Sequence, residues 1–361
     1  RRTRLVALGR KQHPLKKIKL AVVGAGLIGR THMKVIGDLE DTRLSAIADP
    51  TEQAAELANQ VGVPCYPDLK QLLDHDRPDG IILATPNALH VEQACMCMEA
   101  GIPCLVEKPV ATSVDEAQKL ADRVRLTGAR VLVGHHRAHS PIMAQAREVI
   151  AQGRLGRLVG VMGSATFYKP ADYFAAAPWR TQAGGGPILI NLIHDIHNLR
   201  MLCGEIVAVQ AFQSKATRQF EVEDTVAINL SFANGALGTF LLSDTAASAK
   251  SWEQTSQENK AYATYPDEDC YVVMGTNGSL SIPTMRLQLH AKTDERSWLT
   301  PMTSVPIELD RSDPLKRQMQ HFAAVIRGES EPLVSVHDGM ANLKVTEAIS
   351  EAARTGQVIR L

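Results

Sequence analysis

The chain has 361 residues, 45% hydrophobic and 22% charged, with a formal net charge of zero, the make-up of an ordinary globular protein with room for two separate cores. That charge balance leaves no global field to gather nucleic acid or anionic lipid, and no apolar run approaches the roughly 20 residues of a membrane span. The six cysteines (Cys65, Cys95, Cys97, Cys104, Cys203, Cys270) lack zinc or redox spacing and sit in apolar patterns, so reduced thiols in the cytoplasm and no structural metal are expected.

The opening stretch carries Arg1, Arg2, Arg4, Arg10, Lys11, Lys16, Lys17 and Lys19 with no acid. An organelle-targeting segment has a similar composition; a basic tail over 1–17 is the preferred reading. Ile18–Val23 then reads as a strand, running into Gly24-Ala25-Gly26-Leu27-Ile28-Gly29 and a helix to about residue 37. A G-x-G-x-x-G directly between a strand and a helix has the context that dinucleotide binding requires. Gly24 permits the tight turn, Gly26 lets backbone approach a pyrophosphate, and Gly29 lets helix and strand pack closely. The helix N-terminus offers free N–H groups to the phosphates.

A strand over 44–48 ends in Asp49, about 20 residues past the glycines, where an acid accepts from the adenosine ribose hydroxyls. A 2′-phosphate there meets like charge, and Pro50-Thr51 supplies no arginine, so NAD is favoured over NADP. Asp49 can also cap the helix over 51–60. Strands near 63–65 and over 80–84, 103–106 and 130–133 alternate with helices over 68–74, 90–100 and 113–126, which predicts a doubly wound parallel sheet. Thr85, Asn87 and Glu107 fall at neighbouring strand ends, so they are expected to touch the ribose or nicotinamide side of the cofactor. Asn87 has a competing role as a helix N-cap.

Glu107-Lys108-Pro109 follows a buried strand directly, at the carboxyl edge where ligands bind in such sheets. A lysine fixed there by proline can hydrogen-bond an oxygen whose charge changes during reaction, and partial burial lowers its pKa toward the working range. The alternative is a surface Glu-Lys pair. Gly134-His135-His136-Arg137 ends the sheet, Arg137 being either a structural tether or a substrate contact. The first domain is placed at 18–138 and the second at 139–361, entered through a helix over 141–152.

From residue 157 the pattern changes to longer, partly alternating strands: Leu158–Thr166, 206–213, Thr225–Phe232 and 236–242, then 270–275, 279–282 and 287–290. These predict a large, mostly antiparallel open sheet with a helix over 187–202 on one face, and self-association to cover the other face. The polar stretch 244–269 has the length of a lid, an arm or a disordered loop. Helices over Pro314–Arg327 and 337–355 close the chain, each ended by a glycine, and at least one is expected to pack back on the first domain.

Gly184-Gly185-Gly186-Pro187 opens the helix that bears Asn191 and His194, three apart and so on one face. A histidine on an apolar helix is either a core group or a catalyst. The aromatic cluster before it (Phe167, Tyr168, Tyr173, Phe174, Trp179) runs into Arg180 and suits core packing or a sugar ring, with its apolar C–H faces and hydroxyls.

Taken together, the glycine turn, Asp49, Thr85-Pro86-Asn87-x-x-His90, Glu107-Lys108-Pro109 and the Gly-Gly-Gly…His194 helix resemble the Gfo/Idh/MocA family, over nearly the whole chain. The resemblance implies a Rossmann domain plus an open-sheet α/β domain, assembled as a homodimer or homotetramer. It implies NAD(P)-dependent oxidation or reduction of sugars, polyols or related carbonyl compounds. Lys108 would be the catalytic lysine and His194 the family histidine; Leu27, Ile28, His90 and Lys108 join the cofactor contacts. Arg137, Tyr168, Trp179, Arg180 and Asn191 would orient the substrate. Related enzymes commonly carry an aspartate four residues before that histidine; here Ile190 stands there, with Asn191 beside it. Either Lys108 and His194 work without it, or a carboxylate such as Asp172 substitutes. The same scaffold also admits a non-catalytic dinucleotide-binding regulator, a hemiacetal dehydrogenase or an enone reductase.

Overall fold

The structure, a computed structural model, describes residues 16–361. The basic stretch read as a tail lies, up to residue 15, outside the described residues. No helix among the described residues is long and apolar enough to cross a membrane.

The first sheet contains β1 (Ile18–Val23), β2 (Thr42–Ala48), β3 (Cys65–Tyr66), β4 (Gly80–Leu83), β5 (Cys104–Val106) and β6 (Val131–Val133). All are parallel, in the order β3-β2-β1-β4-β5-β6. β4, β5 and β6 are buried at every position, as strands covered by helices on both faces must be. The order reverses between β1 and β4. A crevice at the carboxyl ends of the strands follows from that reversal. The glycine turn leaves β1 and the Thr85 turn leaves β4, so the two loops flank the crevice, with Glu107-Lys108 one strand further along.

The second sheet holds β7 (Leu158–Thr166), β8 (Ile206–Ser214), β9 (Thr225–Phe232), β10 (Leu237–Ser243), β11 (Tyr271–Gly275), β12 (Gly278–Ile282), β13 (Arg286–Leu289), β14 (Thr303–Val305) and β15 (Ile359–Arg360). Its order is β14-β13-β12-β11-β7-β10-β9-β8-β15. Neighbours are antiparallel except β7 and β10, which run parallel at its centre. β14 and β15 are absent from the sequence reading because segments this short carry no measurable alternation.

Helix Pro314–Arg327 adds Met319, Phe322 and Ala323 to the core of the first sheet. Helix Val336–Thr355 gives Leu343 to that core and Val345, Ala348, Ile349 and Ala352 to the core of the second, so one helix fixes the two sheets relative to each other.

Two local expectations need correction. The stretch 244–269 is not a free lid: it contains the helix Trp252–Ser256, and Trp252 is fully buried. The expected helix over 187–202 begins instead as a π-helical turn, Ile188–Leu192, and becomes α-helical only over Ile193–Cys203. Such wide turns often mark functional sites, because they turn a side chain off the regular helical face.

Candidate active site

The glycine turn meets the steric demands of a phosphate cradle. Gly24 has φ +92°, and a Cβ there would lie 2.5 Å from the Ala84 carbonyl oxygen. A Cβ on Gly29 would lie 1.9 Å from the Gly24 carbonyl oxygen, so helix Leu27–Asp38 packs against the turn only through glycine. A Cβ on Gly26 would meet nothing within 4 Å, so that side is open to a ligand. Gly26 caps the helix without a side-chain bond, and the first turn holds no acid, which leaves the N–H groups of Leu27, Ile28 and Gly29 and the helix dipole for an anion.

Asp49 Oδ2 accepts from the Ala25 amide at 2.8 Å, and Oδ1 accepts from the Thr51 amide and hydroxyl at 3.0 and 2.6 Å. Burial alone would raise its pKa. The Thr51 and Ala25 donors, with Arg30, outweigh burial and hold the carboxyl below the ordinary carboxylate range. Thr51, not Asp49, caps the helix Glu52–Val61, and Asp49 braces that cap. Asn87 is exposed, makes no capping bond and opens a short 3₁₀ turn, so the N-cap alternative falls. Thr85 donates its hydroxyl to Gln93 Oε1 at 2.6 Å.

Two expected cofactor contacts are corrected. His90 is buried, with Nδ1 2.8 Å from the Pro109 carbonyl oxygen and Nε2 2.9 Å from that of Thr85. It ties the loops after β4 and β5 together and presents no ring atom to a ligand. Glu107 is buried too, its carboxylate taking His32 Nε2–H at 2.7 Å and the Lys108 amide at 3.1 Å. Burial would raise its pKa, but His32, then Lys108, hold it below the usual value. A buried carboxylate must be paired, so Glu107 shapes the turn rather than touching the cofactor. A Cβ on Gly134 would come 2.9 Å from the Glu107 carboxyl carbon, which explains the glycine that ends β6.

Lys108, in a turn with a cis bond to Pro109, directs its Nζ across to the second half of the molecule, 3.4 Å from the Ile190 carbonyl oxygen. Burial pushes its pKa below the ordinary lysine value, Glu107 opposing and Arg137 adding to the shift. His194 sits one turn after Ile190. Burial, then the charges of Lys108 and Arg137, keep its pKa well below the ordinary histidine value, so the ring is neutral. Its Nδ1 has no hydrogen-bond partner. The His136 and His135 rings pack on it edgewise, with centroids 5.1 and 5.9 Å away.

Asn191, in the π turn, accepts at Oδ1 from Lys169 Nζ at 2.7 Å. Asp172 does not take the place of the missing aspartate: it is exposed and accepts from the Tyr173 amide at 2.9 Å. Arg180 donates to the Tyr173 carbonyl at 2.5 Å, with its guanidinium 3.9 Å above the Tyr173 ring and 5.9 Å from that of Trp179. Tyr168 and Trp179 are exposed, and Tyr168 carries the Arg218 guanidinium 5.2 Å above its ring.

Arg137 proves to be a tether. It donates to Asp195 Oδ1 at 3.2 Å and to Glu253 Oε1 at 3.2 and 3.3 Å, and it is buried. Tyr271 also donates to Asp195. Those pairings engage all three nitrogens of the buried guanidinium, which favours the tether over the expected substrate contact. The triad anchors the helix of His194 to the 244–269 stretch.

The sequence reading missed Lys169, Arg218 and Asp244. Lys169-Pro170 lies just beyond β7, as Lys108-Pro109 lies just beyond β5, so the same signal stood in the sequence twice.

Comparison with known proteins places this architecture. The profile of the oxidoreductase family with an NAD-binding Rossmann fold, GFO/IDH/MocA, matches residues 18–135, and the GFO/IDH/MocA C-terminal domain matches 143–281. A 1,5-anhydro-D-fructose reductase of Ensifer adhaerens is 26% identical over 346 residues, 94% of this chain and 97% of that protein. The scyllo-inositol 2-dehydrogenase (NAD+) of Bacillus subtilis is 26% identical over 360 residues, 96% of each. The crystal structure of the WlbA dehydrogenase of Bordetella pertussis, in complex with NADH and UDP-GlcNAcA, superposes with a TM-score of 0.75 at 24% identity, covering 96% of this chain and 99% of that one. The chain thus belongs to the GFO/IDH/MocA oxidoreductase family, its NAD-binding Rossmann fold joined to the family's C-terminal domain.

Proposed function

We propose that the protein is an NAD-dependent oxidoreductase acting on a CH–OH group of a sugar, polyol or related carbonyl compound. The observation that carries this reading is Lys108 Nζ crossing from the carboxyl edge of the first sheet to Ile190, one turn from His194. When bound, NAD supplies the hydride acceptor or donor at its nicotinamide ring. The glycine turn and the N-terminus of helix Leu27–Asp38 would hold the pyrophosphate, Asp49 the adenosine ribose, and Asn87 the far side of the cofactor.

Lys108 and His194 handle the carbinol proton. Burial, and then the charge of Lys108, hold the His194 ring neutral, so the imidazole is the proton acceptor of the two. Oxidation removes a hydride from the carbinol carbon and a proton from its oxygen. The proton passes to the neutral imidazole of His194, and the Lys108 ammonium stabilises the developing alkoxide. Reduction runs in reverse. Trp179, Arg180 and Asn191 line the approach.

The test is incubation with NAD or NADP and a panel of sugars and polyols, read by the absorbance of reduced cofactor. NAD reduction is expected, with NADP poorer because Asp49 repels a 2′-phosphate. Tight NADH binding with no turnover of any compound would establish the non-catalytic regulator instead.

Cross-strand register puts Met162, Phe212, Leu237 and Leu241 on one exposed face of the second sheet. An apolar face this broad is the expected seam of a homodimer or homotetramer. Sedimentation at micromolar concentration should show the dimer or tetramer; a monomer there would reject this assembly. The six free cysteines agree with a cytoplasmic setting.

A further inference from the structure

Three cations, Lys169, Arg180 and Arg218, crowd the second half of the site around two carboxylates, Asp244 and Asp224. Lys169 is buried at the end of β7, bonded to Asn191, with Asp244 Oδ2 3.8 Å from its Nζ. Asp244 is already taken by Arg218, whose Nε lies 3.0 Å from Oδ1. Among the described residues Arg180 has no carboxylate partner; it donates to a backbone carbonyl. Lys169 and Arg180 share one aromatic ring, Tyr173, with Nζ 4.7 Å and the guanidinium carbon 3.9 Å from its centroid. Lys108 and Lys169 are tied to successive residues of the π turn, Ile190 and Asn191. Asp244 thus serves both Lys169 and Arg218, Asp224 accepts the Arg218 amide, and neither carboxylate is bonded to Arg180.

Like charges gathered in a partly buried pocket are costly unless an anion joins them. The fold holds the cations there regardless, all three over aromatic faces and Lys169 also bonded to an amide that cannot ionise. A neutral sugar would leave the excess uncompensated, whereas an anionic oxygen group would balance it and accept their remaining donors.

We propose that Lys169 and Arg180 form an anion subsite beside Lys108 and His194, and that the substrate is an acidic sugar or polyol, carrying a carboxylate or phosphate group. This rests on the oxidoreductase reading for the identity of the reacting carbon, but not for the binding itself.

Titration of the NADH-loaded protein with D-glucuronate, D-galacturonate and D-glucose 6-phosphate, against D-glucose and D-galactose, tests it without turnover. At least one acid should bind roughly tenfold or more tightly than its neutral parent. Whether the uronates or the phosphate ester shows the preference identifies the anion. Lys169→Met and Arg180→Met should each shrink that ratio, with NADH affinity and melting temperature reporting that the variants are folded. The ratio should also fall as pH rises through about 8, the value to which burial, with Arg180, Arg218 and Lys108 assisting and Asp244 opposing, lowers Lys169. Neutral sugars binding as well as every acid, or a preference that survives both substitutions, would overturn the subsite. An acid that binds with preference but never yields reduced NAD would leave the subsite standing and remove the hydride-transfer reading. Turnover confined to neutral sugars would do the opposite.

Discussion

Lys108→Ala should lower kcat/KM roughly 100- to 10,000-fold while NAD affinity changes only a few-fold, because general acid–base groups contribute on that scale. The lysine ends β5, beside the strand that carries the Thr85 turn, and reaches the Ile190 carbonyl, so it lies where a carbinol oxygen must sit to face both halves. Alanine removes both the proposed proton-handling group and, after burial, the largest influence keeping His194 uncharged. His194→Ala should show a loss of similar order, since in the proposed mechanism both groups act on one carbinol oxygen and losses from such groups are not additive. Both variants should still retain the glycine turn and bind NAD. Turnover within tenfold of the parent in Lys108→Ala would remove the lysine from the chemistry.

Arg137→Ala should cost about 3–5 kcal/mol of stability, because it strands the carboxylate of Asp195 in the interior and removes the cationic partner of Glu253. Burial already raises the Asp195 carboxyl above its ordinary value, with Arg137 and Tyr271 opposing. Without the guanidinium the folded-state pKa rises further. A carboxyl whose folded pKa exceeds its unfolded one adds stability at low pH and loses it as pH rises through the folded value. The deficit of Arg137→Ala should therefore be smaller at pH 5 than at pH 8, and Arg137→Ala with Asp195→Asn should recover part of it. A normal melting temperature with a raised KM would return Arg137 to the substrate.

The first sheet was legible because its signals are local. A glycine turn between a strand and a helix, an acid after the second strand and a Glu-Lys-Pro after a fully apolar strand each depend on a few neighbours along the chain. Glu107 and His90 show where that reasoning stops. Both stand in the right loops, yet both side chains turn inward to satisfy buried partners, His32 in one case and two backbone carbonyls in the other. Lys169 makes the reverse point. Its Lys-Pro signal was as good as that of Lys108, but its partners Asn191 and Asp244 lie 22 and 75 positions away in the chain, and no periodicity reports them.

By itself the sequence determined the parallel sheet, the dinucleotide turn and a second, mostly antiparallel sheet, since strand period, glycine sterics and helix spacing are properties of short segments; the roles of Lys108 and His194 came from the family resemblance. Only the tertiary structure decided that Arg137 is a tether, that the helix of His194 opens on a π turn, and that a second lysine shares the site. Those outcomes depend on which charges are buried together, and a chain settles that only when distant segments exclude water from one another.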